Sequence, residues 1–424
     1  MMASAPTSLR IGQATLSCNE PTANVEPVQT RLYVVSFQAL RGTLGPASQP
    51  RVALRANLRN APLRRPGGRT MTHRPSNTQA PNGRRRLASW ILAAIVVPWL
   101  VGCGGGMGAV SENGATLGLE PKFIDVPAFG TTINTRYYEA GQGEPVVLVH
   151  GGGFDGRYSA NHWDKVITGL GERVHVFAPD KLAAGMTDNP PDDKDLNIHG
   201  EVEHIYRFIQ TLEVGRVHLV GQSRGAGLVM LLSAEHPDVL KTVTLIDSAT
   251  ASPEEACPGC TRIARDPCSS DDPNEYWRCL MRNLCFDPDL AFDDEYWVAG
   301  NYMASLPKAR ETVARKAAIA AALGDRYDNN AEGYLEFKKA LHERIRNEVV
   351  VPVPMLLYWA VNDPQAPALR SGVALYDIYA QQHPNVRMSI INNAGHFFWR
   401  EHPDEFIDTV VNFIDYWKGV PPVS

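Results

Sequence analysis

Three separated stretches of this sequence carry the residue types that nucleophilic catalysis needs. The first is Val217-His218-Leu219-Val220-Gly221-Gln222-Ser223-Arg224-Gly225-Ala226-Gly227, an apolar strand running straight into G-x-S-x-G and then into a helix. A turn that tight forces its serine into strained backbone and aims the hydroxyl outward, which makes Ser223 the expected nucleophile. A serine hydroxyl is a poor nucleophile near neutral pH, so it needs a base to take its proton and an acid to orient that base. Asp363, in Ala360-Val361-Asn362-Asp363-Pro364, and His396, in Asn393-Ala394-Gly395-His396-Phe397, supply both in the order Ser, Asp, His. Asp247, ending another strand, is the rival acid and is ranked lower because it must reach from a neighbouring strand.

Attack on a carbonyl also needs donors for the oxygen that becomes an anion. Val149-His150-Gly151-Gly152-Gly153-Phe154 follows an early strand, and its bare backbone can approach a substrate closely. The two donors are assigned to the backbone N–H groups of Gly152 and Arg224, with Gly153 as the fallback for the first. His150 reads as a loop residue, not a second base. The Arg224 side chain has two readings: it binds a substrate carboxylate, or it pairs with an acid beneath the turn.

The elements that must position these groups are visible as an alternation of strands and helices. Strands are expected at Thr132–Tyr138, Pro145–Val149, Val174–Ala178, Val217–Val220, Thr242–Ile246, Met355–Ala360 and Arg387–Ile391. Several are continuous apolar runs, as strands covered on both faces should be. Helices fit Gly200–Leu212, Gly225–His236 and Pro403–Trp417, giving an α/β class with a parallel sheet between helices. The alternation breaks between residues 249 and 347, which are rich in acids and aromatics and read as a mostly helical lid. The sheet domain so defined runs over residues 121–420.

The whole chain of 424 residues has a net charge of −5, but this conceals two opposite parts. Residues 1–102 hold thirteen Arg, no Lys and two acids, Glu20 and Glu26, whereas the remainder has 28 basic and 44 acidic side chains. An acidic body repels phosphate backbones, so a nucleic-acid partner is not expected and a small-molecule substrate is.

The basic part has an order of its own. Arg84, Arg85 and Arg86 precede the apolar run Leu87–Leu100, which ends in Leu100-Val101-Gly102-Cys103. Basic, then apolar, then small residues is the order of a secretory signal, and the run is shorter than the roughly 20 residues that span a bilayer. Residues 71–102 are therefore expected to be an export signal, with Met71 a sensible start and residues 1–70 a disordered or non-native N-terminal extension. Residues 103–120, opening on Gly104 to Gly106, read as a flexible tether.

Five of the seven cysteines, Cys257, Cys260, Cys268, Cys279 and Cys285, fall in the lid. In an exported protein they read as two disulfides and one free thiol of underivable connectivity, in preference to a zinc site built on Cys257 and Cys260. No metal is expected.

The motifs above resemble those of the α/β-hydrolase family: His150 to Gly153, the strand Val174 to Asp180, Gly221 to Gly225, Val361 to Pro364, and Ala394 to Phe406. That resemblance implies a mainly parallel eight-stranded sheet, a helical cap after the sixth strand, a Ser-Asp-His triad and no cofactor. Within the family the pattern from Gly395 to His402 looks like the meta-cleavage product hydrolases, which split carbon–carbon bonds. By that likeness Asn161, Gln222 and Phe397 are substrate contacts, although those enzymes commonly have Asn at the position of Gln222 and Trp at that of Phe397. The ending at Cys103 likewise resembles the lipobox of bacterial lipoproteins, implying a lipidated Cys103, membrane attachment through it alone, and export to the cell envelope. Ester hydrolysis is ranked first, carbon–carbon hydrolysis second, and an inactive lipid-anchored binding protein third.

Overall fold

The computed structural model describes residues 114, 118–253, 267–327 and 331–419. The expected extension 1–70, the signal 71–102, Cys103 with most of the tether, and Cys257 and Cys260 lie outside the described residues. Among the described residues no helix is long and apolar enough to cross a membrane.

Eight strands form one sheet: β1 (Lys122–Ala128), β2 (Thr131–Ala140), β3 (Pro145–Val149), β4 (His175–Pro179), β5 (Val217–Gln222), β6 (Leu240–Ile246), β7 (Met355–Ala360) and β8 (Val386–Ile391). Their spatial order is β1-β2-β4-β3-β5-β6-β7-β8. The first two pairings, β1 with β2 and β2 with β4, are antiparallel, and every later pairing is parallel. β3, β5 and β7 are buried at every position, because helices cover both faces of the sheet.

Helices α1 (Asp164–Gly171), α2 (Ile198–Thr211) and α3 (Arg224–Glu235) follow β3, β4 and β5 in the chain. Between β6 and β7 the chain leaves the sheet to build a cap of α4 (Pro273–Asn283), α5 (Pro288–Ala291), α6 (Asp294–Ser305), α7 (Pro307–Leu323) and α8 (Tyr334–Asn347). It then returns through α9 (Val373–Ala380), the short α10 (Phe398–Glu401) and α11 (Pro403–Trp417). Aspartates start several cap helices: Asp272, Asp287 and Asp293 each accept first-turn backbone N–H groups, which is why an acid-rich segment is helical here.

Two apolar clusters sandwich the sheet. One joins Trp163, Trp399, Phe406 and Val410 to the cap residues Trp277, Phe292, Tyr296 and Trp297. The other packs α2 and α3 against the opposite face. The cap therefore shares its core with the sheet domain. Within it Cys268 and Cys279 form a disulfide, and Cys285 is a free thiol.

Candidate active site

The parallel arrangement brings the carboxyl ends of β5, β7 and β8 to one edge of the sheet, where loops from different strands can converge. Ser223 lies between β5 and α3 with φ 54° and ψ −122°, a conformation costly for any residue with a Cβ. The turn closes only because its flanks are small. A Cβ on Gly225 would lie 2.4 Å from the Val149 carbonyl oxygen and 2.6 Å from that of His150. The Ser223 N–H donates to the Ile246 carbonyl at 2.9 Å, and the Ser248 hydroxyl donates to the Ser223 carbonyl, tying the strained residue to β6 and the segment after it.

Asp363 and His396 leave the ends of β7 and β8 and meet. His396 Nδ1 donates to Asp363 Oδ2 at 2.7 Å, and Asp363 Oδ1 accepts the Gln365 N–H at 2.7 Å; both side chains are buried. The other ring nitrogen faces Gln222, the residue before Ser223. Gln222 Nε2 lies 3.1 Å from His396 Nε2 and donates to the His396 carbonyl at 3.2 Å. That carbonyl can only accept, so the amide nitrogen faces it and its second hydrogen points at Nε2. His396 therefore carries its proton on Nδ1 and offers Nε2 as an acceptor, the tautomer a base for Ser223 requires. Among the described residues the Ser223 hydroxyl makes no hydrogen bond, so Gln222 holds the lone pair that a serine proton must reach.

The glycine loop is set by two anchors. His150 Nδ1 donates to the Gly151 carbonyl at 2.8 Å while its Nε2 accepts the Lys181 N–H at 3.1 Å. Lys181 Nζ donates to the Gly152 carbonyl at 2.9 Å. In a planar trans peptide the N–H points opposite the C=O, so fixing the Gly151 carbonyl turns the Gly152 N–H the other way. Fixing the Gly152 carbonyl does the same for Gly153. Gly152 has φ 75°, and a Cβ there would sit 1.9 Å from Tyr158 Cγ, so only glycine fits. The N-terminus of α3, which Arg224 opens, directs first-turn N–H groups toward the same elbow.

A buried charge cluster lies beneath this loop. Glu201 Oε1 is 3.0 Å from Lys181 Nζ, and Glu201 Oε2 accepts the Arg224 Nε–H at 2.8 Å. Arg224 thus pairs with an acid beneath the elbow, and its guanidinium also lies over the Phe154 ring. Burial lowers the Lys181 ammonium to about 8 against the pull of Glu201. Sequence reasoning missed Lys181 and Glu201 altogether, since nothing local marks two residues that meet only through the fold.

The remaining sequence candidates sit differently from one another. Asn161 is held by buried hydrogen bonds: its Oδ1 accepts from Arg136 Nη2 at 2.9 Å and Tyr138 OH at 2.7 Å, and its Nδ2 donates to the Gly114 carbonyl. Arg136 in turn forms a fully buried pair with Asp180, so these bonds tie Asn161 into a buried polar network. Phe397 lies 5.3 Å from the His396 ring and 5.2 Å from Phe292 of the cap, so it lines the base and packs against the lid. His162, not picked out from sequence, packs among Tyr158, Tyr296 and Phe397 in the same aromatic cluster. Burial, with the Arg400 charge, pushes its imidazole down to about 3, so it is neutral there.

One oxygen each of Asp247 and Asp363 and a ring nitrogen of His396 lie within 4.8 Å of one another, a spacing that could hold a cation. The proton on Nδ1, given to Asp363, makes that nitrogen a donor in this arrangement instead of a metal ligand.

Comparison with known proteins agrees with the architecture. A family profile described as the alpha/beta hydrolase family matches residues 146–409. A 2-hydroxy-6-oxo-6-(2'-aminophenyl)hexa-2,4-dienoic acid hydrolase of Metapseudomonas resinovorans is 28% identical over 66% of this chain and 88% of its own length. A 2-hydroxymuconate semialdehyde hydrolase of Pseudomonas sp. strain CF600 is 32% identical over 28% of this chain and 42% of its own. The solved 2-hydroxy-6-oxo-6-phenylhexa-2,4-dienoate hydrolase of Rhodococcus sp. strain RHA1 shares the fold, with a TM-score of 0.55 and 19% identity over 70% of this chain and 99% of that one. With strand order, elbow and family profile in agreement, the chain belongs to the alpha/beta hydrolase family and is a hydrolase.

Proposed function

We propose that this hydrolase works through an acyl-enzyme formed on Ser223, with His396 as base, Asp363 as its orienting acid, and the N–H groups of Gly152 and Arg224 as oxyanion donors. The observation that carries the reading is the 2.7 Å bond from His396 Nδ1 to Asp363, which leaves Nε2 as an acceptor beside the strand end that bears Ser223. Gln222 moves off Nε2; the Ser223 proton passes to it as the oxygen bonds the carbonyl carbon, and the carbonyl oxygen takes the negative charge. Collapse breaks the bond to the leaving atom, which takes the proton from Nε2. A water then repeats the sequence on the acyl-enzyme and releases the acid.

The scissile bond we propose is the carbon–carbon bond beside a ketone in a 2-hydroxy-6-oxo-dienoate-like substrate. The relative matched over 88% of its length acts on such an acid. The aromatic cluster of Tyr158, His162, Phe292, Tyr296 and Phe397 makes the surroundings of the base apolar, which favours an apolar or aryl acyl part. This reverses the order reached from sequence. Ester cleavage stays as the second reading because Asn161, the substrate contact implied by the resemblance, is taken up by Arg136 and Tyr138. Purified protein should hydrolyse an aryl ring-fission dienoate with a kcat/KM at least ten times that on p-nitrophenyl esters, and the opposite preference restores the ester reading. A fluorophosphonate probe should label the wild type and not Ser223→Ala; no labelling of the wild type rejects the mechanism itself.

Export and attachment through a lipidated Cys103 belong to the same proposal. Cys103→Ser should release the protein from the membrane fraction of the native host, and unchanged fractionation rejects lipidation.

A further inference from the structure

Asp247, unused by the mechanism above, is a buried carboxyl beside the triad. It directly follows β6 with φ 34°, in the left-handed region where a side chain is strained, and it is fully buried. Its backbone N–H donates to the Tyr358 carbonyl at 3.3 Å, and its Oδ1 accepts the Ala360 N–H at 2.9 Å, binding it to the end of β7 from which the Asp363 loop departs. Its second oxygen, Oδ2, has no hydrogen-bond partner among the described residues. One oxygen of Asp247 lies within 4.8 Å of both an Asp363 oxygen and a His396 ring nitrogen.

We propose that Asp247 is a second acid of the site: a positioning residue that stays protonated beside ionised Asp363, and that becomes the counter-ion of His396 when Asp363 is neutralised. This rests on the triad reading above. Two carboxylates this close in a buried site do not both ionise. Asp363 is the one that keeps its charge, since it accepts from His396 Nδ1 and from the Gln365 N–H, whereas Asp247 accepts only from Ala360. Burial, then the Asp363 charge, raise the Asp247 carboxyl well above the usual range, with Glu401 adding to the effect. The other titratable groups facing it are the His396 ring and the Tyr358 hydroxyl, itself pushed further up by burial and so neutral.

Neutralising Asp363 removes the repulsion, so Asp247 ionises more readily and places a charge within 4.8 Å of the imidazolium that forms on proton transfer. Removing the acid of such a triad costs roughly 10⁴-fold in kcat where nothing replaces it. Here Asp363→Asn should lose only about 10²-fold, and Asp247→Asn/Asp363→Asn about 10⁴-fold. The rate of Asp363→Asn should rise with pH in a step that the double variant lacks, as Asp247 gives up its proton. Fluorophosphonate labelling of these variants and of wild type, followed against pH, reads all of this. Equal rates for Asp363→Asn and the double variant overturn the proposal. If the double variant does not fold, the pH profile of Asp363→Asn decides alone, and a profile of the same shape as that of wild type overturns it. A wild type that does not label defeats the triad reading and this one together; a wild type that labels beside two equal variants defeats only this one.

Discussion

Glu201→Gln tests the charge cluster under the glycine loop most directly. Glu201 is the acid between Lys181, 3.0 Å from one oxygen, and Arg224, 2.8 Å from the other, and all three side chains are buried. At an effective dielectric of about 20, unit charges about 3 Å apart attract by ~5 kcal/mol, but most of that gain offsets desolvation. Removing one partner leaves buried charge behind, for which a loss of about 3–5 kcal/mol is expected at pH 7. The sign against pH follows from Lys181, lowered in the fold to about 8 by burial. An exposed lysine in the unfolded chain titrates near 10.4, so between about 8 and 10.4 the unfolded state holds more protons and stability rises with pH. Glu201 pulls the Lys181 value up, so removing it lowers that value and moves the onset of the rise below pH 8. Urea unfolding of wild type and Glu201→Gln at intervals from pH 6 to about 10 measures both effects. A variant within about 1 kcal/mol of wild type at pH 7, or one whose rise begins at the same pH, refutes the reasoning.

Three further substitutions address single contacts. Gly152→Ala places a methyl 1.9 Å from the Tyr158 ring at φ 75°, so it should displace the loop and cut labelling of Ser223 about 10²–10³-fold, the cost of losing one oxyanion donor; unchanged labelling removes Gly152 from that role. Gln222→Leu frees His396 Nε2 from a competing donor and should speed labelling about two- to tenfold while leaving the His396 carbonyl unsatisfied and the melting temperature lower. Slower labelling means that Gln222 supports the base instead of masking it. Cys268→Ser/Cys279→Ser opens a disulfide of sequence separation 11 and should destabilise the cap by about 3 kcal/mol in the chain-entropy account, seen as faster proteolysis near Pro273 with the sheet domain intact. An unchanged cleavage rate contradicts it.

What could be read from sequence depends on whether the signal is local. β3 and β7 match their expected bounds because each is an apolar run between turns, and α11 because Pro403 starts it and the apolar spacing carries it to Trp417. β1 was missed: it is largely exposed, contains Pro127, and lies at the sheet edge, where neither alternation nor a continuous apolar run is imposed. Loop positions after strands were readable for Ser223, Asp363 and His396, since topology alone sends those loops to one edge. Side-chain direction was not. Asn161 stands at the spacing of a substrate contact yet turns to Arg136, because Asp180, 19 residues later, holds Arg136 there. Lys181, Glu201 and Arg400 have no sequence signature, for their partners are fixed by tertiary packing.

α10 also shows why cap and base act as one unit. Its adjacent residues Arg400 and Glu401 both reach into the cap. Arg400 Nε donates to the Ala291 carbonyl at 2.7 Å, and its Nη1 binds the His162 carbonyl and Asp164 of the sheet domain. Glu401 Oε1 accepts the N–H groups of Phe286 and Asp287 at 2.7 and 2.6 Å, while Oε2 accepts the Gly395 N–H, one residue before the base. The His396 N–H itself donates to the Leu284 carbonyl at 2.7 Å. The segment after α4 is therefore bonded to the backbone on which the imidazole stands, through a carboxylate whose oxygens are committed to three donors. A cap that opened at this segment would break these bonds and release the His396 loop from Asp363's side of the site. The contacts of α7 with the sheet domain differ: Lys308 Nζ bonds the Gly185 carbonyl and Arg315 pairs with the exposed Asp193, and neither touches the loop that carries the base.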